Sequence, residues 1–361
     1  HLPMAVASVQ SPAGMLVAGK YGIPPLSIGV RTGVRGAVNP AHQWAIGQET
    51  AAATADVVIE NFSPGTFERL IGDPEEWRRE NPGLIVVRTS GFGQTGPRKD
   101  FMGYYSTLQA ISGATHLAAY DTSEPVGLGT SYSDYLGALT AAAAILAALN
   151  HRNRTGRGQT VDVAQVESMT GAIGPAILDY TVNGRVMAPA GNRLIERPDA
   201  PQGIYPCRVP APPADGPPET EAWIAIVVTS DTEWSGLCRA IGDPAWTRDP
   251  AYATAAGRSA AADRIDVEIA AWTAGQDAQA AMRHLQAHRV PAGVAQNGRD
   301  ILERDDHVGK RGYFVTIDHP EIGSIMMPGP AFRLDRTPAA VRLPPPLLGQ
   351  HTEEVLRELL A

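Results

Sequence analysis

The chain has only two cysteines, Cys207 and Cys238, in 361 residues. Two thiols exclude a disulfide scaffold and a cysteine-built metal site. They fit a reducing compartment, so a cytoplasmic location is expected. Basic residues are also scarce: 30 Lys plus Arg stand against 38 Asp plus Glu, a formal net charge of −8. A nucleic-acid binder needs a basic face to offset phosphates, so this balance argues against that class. Long apolar runs are missing. The longest, Leu136 to Leu149, is interrupted by Gly137 and Thr140 and is too short and too Ala-rich to span a bilayer. No basic stretch followed by a long apolar core opens the chain, so no export signal is expected. The first residue is His1, not Met, which fits a fragment or a trimmed chain. No Gly-x-Ser-x-Gly elbow is present, so a serine hydrolase has no support.

What is present is 43% apolar residues, enough for a sizeable core, with 37 Gly and 30 Pro to supply many turns. The length allows one large or two medium domains. Ala5–Val9 and Leu26–Val30 read as short strands in an uneven first fifty residues. From Thr54 the pattern sharpens. Asp56–Glu60 is a short buried strand that ends in Asn61-Phe62-Ser63-Pro64-Gly65. Thr66–Ile71 reads as a short helix. Asp73 caps another, with Pro74 at its first position. Leu84–Val87 is a second apolar strand, and the strand-helix-strand spacing predicts a parallel βαβ unit. Asp134 precedes an Ala-rich helix over Tyr135–His151. Thr160–Val163 returns as a strand and Val166–Tyr180 as a helix. A Pro-rich stretch from Pro189 to Pro218 marks a boundary. Trp223–Val228 then opens a second set of strands and helices that runs to Val294. Gly312–Ile317 and Gly323–Met327 read as paired strands, and Thr352–Leu360 as a terminal helix.

Several residues could carry chemistry. Gly91-Phe92-Gly93-Gln94-Thr95-Gly96 matches the dinucleotide pattern after a strand. That site needs a helix starting at the last glycines, and Pro97-Arg98-Lys99-Asp100 reads as a loop instead. A ligand-lining glycine loop is therefore favoured over a nicotinamide or flavin oxidoreductase, which stays as an alternative. Asp134, alone, is a helix-start acid; its functional reading is a carboxylate offered to a substrate. Glu167 is a rival acid with a solvated or structural role. His284 and His288 share a helix face, but no general-base Glu sits between them, so surface histidines are favoured over zinc ligands and no metal is expected.

Taken jointly and in order, a set of segments resembles the class III CoA-transferase family (CaiB/BaiF type), which also contains the α-methylacyl-CoA racemases. They are Ala55–Gly65, Ser90–Pro97, Ser133–Gly137, Arg154–Val163, Pro201–Cys207, Arg311–Phe314 and Gly349–Leu356. The likeness runs from about residue 52 to the end. Residues 1–50 are instead similar to a fragment of the luciferase-like flavin monooxygenases, through Ser11-Pro12-Ala13-Gly14 and Ala18-Gly19-Lys20-Tyr21-Gly22. Fifty residues cannot build that barrel, so no monooxygenase activity follows.

The resemblance implies an α/β fold with a Rossmann-like large domain, incomplete at its N-terminus, and a smaller α/β inserted domain. Its divisions fall at 1–51 (an atypical segment), 52–195 (large domain), 196–310 (small domain) and 311–361 (a return to the large domain). It implies transfer of CoA from an acyl-CoA thioester to a free carboxylic acid through an aspartyl anhydride and thioester, with Asp134 as the catalytic acid. Glycine-loop amides would stabilise the oxyanions. It implies CoA contacts at Asn61, Phe62, Ser63 and Arg69, and along Met102, Gly103, Tyr104 and Tyr105. No cofactor is held permanently; the CoA thioester is substrate. An interlocked homodimer is implied, with no nucleic-acid or membrane partner. Family racemases carry a histidine thirty residues before the acid, where this chain has Tyr104. A phenol with a pKa of about 10 is a poor proton carrier at neutral pH, so transfer is favoured over racemisation. The alternatives are that racemase and an incomplete, non-catalytic subunit.

Overall fold

A computed structural model describes residues 4–7, 25–26, 55–120, 124–193, 198–211, 220–351 and 354. The chain divides into two compact units: 1–118, 126–187 and 307–361 make one, and 119–125 with 188–306 the other.

The first unit is built on a five-stranded parallel sheet. Its strands are β1 (Met4–Ala7), β2 (Pro25–Leu26), β3 (Val57–Glu60), β4 (Ile85–Ser90) and β5 (Thr160–Ala164), in the order β2-β1-β3-β4-β5. Both faces of the central strands are covered, as a parallel sheet requires. On one face Val58, Leu84 and Val86 pack with Phe67, Ile71 and Trp77. These come from α1 (Thr66–Leu70), α2 (Pro74–Glu80) and the turn between them. On the other face Val57, Ile85, Val87 and Val163 meet Ala141 and Ala148 of α5, a 24-residue helix over Tyr132–Thr155. The strands read as unbroken apolar runs because side chains of both parities are buried; each fully buried Val or Ile contributes about 1.5–3 kcal/mol. Between β4 and α5 lie α3 (Tyr105–Ile111) and α4 (Ala114–Leu117). After β5 come α6 (Gln165–Ala172) and α7 (Gly174–Asn183). An antiparallel hairpin of β9 (Phe314–His319) and β10 (Gly323–Pro328) also belongs to this unit.

Local chemistry sets the boundaries. The Asp73 carboxylate accepts from the Glu75 N–H at 2.9 Å and caps α2, with Pro74 in the first turn. Gly156, left-handed at φ 73°, ends α5 by donating its N–H to the Arg152 carbonyl at 2.7 Å. Three expectations are corrected. The helix forecast over Val166–Tyr180 is two helices, broken at Ile173, because Pro175 has no N–H to continue the ladder. The Ala-rich helix outruns its apolar core at both ends, so by length and composition it could cross a bilayer; here its Ala141 and Ala148 are buried against the sheet. The sheet is also not cut off at β3. Met4–Val6 pair in parallel with Val57–Ile59, and β2 pairs with β1, so two short strands extend the edge expected to be incomplete. The forecast terminal helix over Thr352–Leu360 lies outside the described residues apart from Glu354.

The second unit has an antiparallel sheet of β6 (Gln202–Pro206), β7 (Trp223–Val227) and β8 (Ala292–Val294). Its helices are α8 (Asp231–Ala240), α9 (Ala255–Ala260), α10 (Ala262–Thr273) and α11 (Ala278–Ala287). Ile224, Ile226, Leu237, Ile265, Ile269 and Leu285 form a fully buried core. Within it Arg258 is buried, bonded to both Asp199 oxygens (2.7 and 2.9 Å) and to Asp231 (2.7 Å). Cys207 and Cys238 are buried free thiols of this unit, and burial pushes Cys207 up to about 11.

Candidate active site

Parallel strands deliver their following loops to one edge of the sheet, and three of those loops carry the residues singled out in the sequence. β3 runs directly into Asn61, Phe62 and Ser63. Asn61 and Ser63 are exposed and Phe62 is half-buried. Gly65, left-handed at φ 74°, turns the chain into α1. There Arg69 is exposed and its guanidinium donates to the Thr66 hydroxyl at 3.1 Å. The turn is held from below. Glu60, 1% exposed at the end of β3, accepts from the Phe62 N–H at 2.6 Å and from Arg88 Nε at 2.8 Å.

β4 runs into the glycine loop. No helix starts at Gly96; residues 97–100 form turns and the next helix is α3, so the geometry a bound pyrophosphate requires of the dinucleotide pattern is not there. The loop is tied to β5 and α6. Both Asp162 oxygens accept from the Gln94 N–H at 3.0–3.1 Å, and the Gly91 carbonyl accepts from the Val166 N–H at 3.0 Å. The Gln94 N–H is therefore already engaged and is not one of the amides near this loop left free for an oxyanion. Further on, Met102, Tyr104 and Tyr105 are exposed and Gly103 is half-buried. A side chain at Gly103 would displace its neighbours: an added Cβ would stand 2.9 Å from both Leu108 Cδ2 and Phe92 Cε2. Tyr104 begins α3, donating its N–H to the Thr107 hydroxyl at 2.9 Å.

Asp134 lies in the first turn of α5, where the helix dipole favours the carboxylate. Burial nevertheless raises its pKa above the ordinary aspartate value, while hydrogen bonds from the Gln165 amide and the Ser131 hydroxyl pull it back in part. Gln165 is the first residue of α6, delivered by β5, and sequence reasoning passed over it. Its side chain crosses α5 over Gly137, one turn beyond Asp134, so closely that a Cβ on Gly137 would stand 2.9 Å from Gln165 Cγ. The signal available in the sequence was Gly137 itself, a glycine inside a strong helix. Ser133, fully buried beside Asp134, has a hydroxyl with no partner among the described residues.

Other candidates fall elsewhere. Glu167 is exposed on α6. The His284 and His288 rings lie 4.7 Å apart and tilted at 57°, but each has one ring nitrogen committed to a main-chain carbonyl at 2.9 Å, of Ala240 and His284 respectively. The arrangement offers a partly desolvated carboxylate beside a neutral amide donor, at the strand ends where a polar turn and an exposed aromatic segment also emerge. Such a carboxylate is a nucleophile for an activated acyl group.

Comparison with known proteins gives this chemistry a context. The sequence matches the family model described as CoA-transferase family III over residues 49–352. It is 36% identical over 305 residues to the succinyl-CoA–D-citramalate CoA-transferase of Chloroflexus aurantiacus, covering 84% of this chain and 72% of that protein. It is 30% identical over 319 residues to the formyl-CoA:oxalate CoA-transferase of Rhodopseudomonas palustris, covering 85% and 73%. A CaiB/BaiF family protein from Brucella suis has the same fold, with a TM-score of 0.81 at 23% identity over 98% of this chain and 97% of that one.

Proposed function

This chain belongs to CoA-transferase family III and moves CoA from an acyl-CoA thioester to a free carboxylic acid, and we propose that Asp134 is the nucleophile that carries the acyl and CoA groups between them. One observation carries the assignment: the Asp134 carboxylate is partly desolvated and held by neutral donors, whereas Glu60 at the same edge of the sheet is committed to Arg88. A partly desolvated carboxylate is a stronger nucleophile than a fully hydrated one.

The steps balance without a proton or an oxidant. An Asp134 oxygen attacks the thioester carbonyl, the C–S bond breaks, and CoA leaves as thiolate from an acyl-aspartyl anhydride. The thiolate attacks the Asp134 carbonyl carbon. The anhydride C–O bond breaks, the donor acid departs, and an aspartyl-CoA thioester remains. The acceptor carboxylate attacks that thioester and expels the thiolate, giving a second anhydride. The thiolate then takes the acceptor acyl group and frees Asp134. In the second and third steps negative charge develops on the Asp134 side-chain oxygen. The Gln165 amide stands at that carboxylate and supplies the hydrogen bond. The carboxylate carries the chemistry, so no permanent cofactor or metal is required.

CoA is gripped by Asn61, Phe62, Ser63 and Arg69, and by the exposed segment Met102, Gly103, Tyr104 and Tyr105. The donor is a succinyl-CoA-type thioester and the acceptor a short dicarboxylic acid, a reading supported by the names of the relatives. The working form is a homodimer. Apolar side chains that one copy leaves in water support this: Tyr135, Leu139 and Leu146 along α5, and Ile177, Leu178, Tyr180 and Val182 on α7, which buries nothing. Two unpaired buried thiols support a cytoplasmic location. The test is a screen of acyl-CoA and free-acid pairs, with mass detection of new CoA esters and of the aspartyl adduct. A chain that is active on some pair, and keeps that activity as folded Asp134→Ala, refutes the nucleophile.

A further inference from the structure

We propose that Glu60 is a positioning residue for CoA, locking the turn at Asn61–Ser63 and, through Arg88, the helix that carries Arg69. The proposal rests on the CoA-binding reading of those residues. A buried carboxylate at the end of an apolar strand is a costly choice for the sheet alone, since an apolar residue of similar volume serves a core as well or better. What Glu60 does there is specific. One oxygen accepts the Phe62 N–H two residues on, at 2.6 Å, which fixes the reversal of the chain where the strand ends. The other accepts Arg88 Nε at 2.8 Å. The Arg88 guanidinium goes on to Glu68, its Nη1 standing 2.7 Å from Glu68 Oε1. Glu68 lies on α1 immediately before Arg69. The Glu60 carbonyl takes the Thr89 hydroxyl at 3.1 Å, so strand and turn are pinned together.

One guanidinium thus joins the turn to the Arg69 helix, two segments that must hold different parts of one extended ligand. The network is not arranged for stability. Arg88 Nη2 and Glu68 Oε2 are buried with no hydrogen-bond partner among the described residues. Unsatisfied groups of this kind are expensive, and they fit a network retained for the placement it enforces.

The experiment compares Glu60→Gln, Glu68→Gln and Arg69→Ala for kcat, for the KM of each substrate and for melting temperature. Glu60→Gln keeps the shape and removes the charge that bonds Phe62 N–H and Arg88. The KM for the CoA thioester is expected to rise about tenfold to a hundredfold, the factor that one charge-assisted hydrogen bond corresponds to. The KM for the acceptor acid and kcat at saturating thioester stay within about twofold, since positioning of bound CoA is restored at saturation. A merely structural Glu60 lowers the melting temperature and leaves the thioester KM alone; that result, with Arg69→Ala raising the KM, overturns the proposal. An unmoved KM in Arg69→Ala as well shows that the CoA reading of the turn is what failed. If Glu60→Gln does not fold, Glu68→Gln decides: the Glu68 side chain is 36% exposed and keeps its volume as it loses its charge. A rise of about threefold in the same KM is then expected, and no rise refutes the coupling through Arg88.

Discussion

Replacing Gly137 with alanine separates the fold of α5 from its chemistry. A glycine inside a helix costs about 1 kcal/mol relative to alanine, so the substitution alone stabilises. Against this, the new methyl stands 2.9 Å from Gln165 Cγ, closer than two carbons approach. Cγ is not the free end of that side chain, so Gln165 must change rotamer or stand about 30° off one, at about 0.5–1.5 kcal/mol. The two terms nearly cancel, and the melting temperature is expected within a few degrees of wild type. The activity does not cancel. A displaced Gln165 no longer reaches Asp134, which loses a hydrogen bond to a charged group that becomes an oxyanion during turnover. That bond is worth about 1.5–3 kcal/mol, so kcat is expected to fall about tenfold to a hundredfold, with the KM for either substrate little changed. The assay is steady-state transfer on protein checked by thermal melting, with Gln165→Leu beside it. If Gly137→Ala melts like wild type and turns over at the wild-type rate, Gln165 has no part in the reaction.

Asp134→Asn removes a carboxyl whose folded pKa is raised. Such a group stabilises less as pH climbs from the ordinary value of 3.8 through the folded value, because the unfolded chain gives up its proton first. The variant is therefore expected to melt at or above wild type at pH 7, with the gain shrinking toward pH 4, as calorimetry across that range would read; a lower melting temperature at pH 7 contradicts the desolvated carboxylate. Gln165→Leu removes a bond that lowers the Asp134 pKa, so the acid limb of kcat/KM for a donor without a second carboxylate should move to higher pH; a limb that stays put or moves down counts against the contact. Ser133→Ala deletes a buried hydroxyl without a partner and should raise stability by about 1–2 kcal/mol in urea unfolding, and a loss would mean that the hydroxyl has a partner in solution. Gly158→Ala would put a Cβ 2.0 Å from the Leu84 carbonyl oxygen, a main-chain atom with nowhere to go, so a loss of about 2 kcal/mol or more is expected in the same assay.

The central strands were legible because parallel strands covered on both faces read as short apolar runs: Val57–Glu60 and Ile85–Ser90 stand where Asp56–Glu60 and Leu84–Val87 were forecast. The cap at Asp73 followed by Pro74 was legible for a local reason, since a helix start needs only its own neighbours. The break at Ile173 was missed because Val166–Tyr180 stays apolar straight through Pro175, and periodicity outweighed the proline. For the site, Asp134 could be singled out by its place before a strong helix. Gln165 could not, because the contact that gives it meaning spans 31 residues of sequence and depends on how two helices cross at Gly137. The Asp162 carboxylate that clamps the glycine loop was hidden in the same way: in the sequence it is one polar residue alternating within a strand.

The two units do not follow one another along the chain. The unit bearing the parallel sheet is assembled from 1–118, 126–187 and 307–361, whereas most of the other lies in the single stretch 188–306. Synthesis runs from the N-terminus, and compact units form as their residues become available. During translation the 188–306 stretch has nearly its whole core, Ile224 to Val290, before the last segment of the other unit exists. The later part of the chain therefore has the means to reach its final form first. The earlier part, already out of the ribosome, waits for residues beyond 306 to complete its unit. That interval is when a nascent chain of this design most needs chaperone protection, and a stop codon near residue 306 would leave one finished unit joined to an unfinished one.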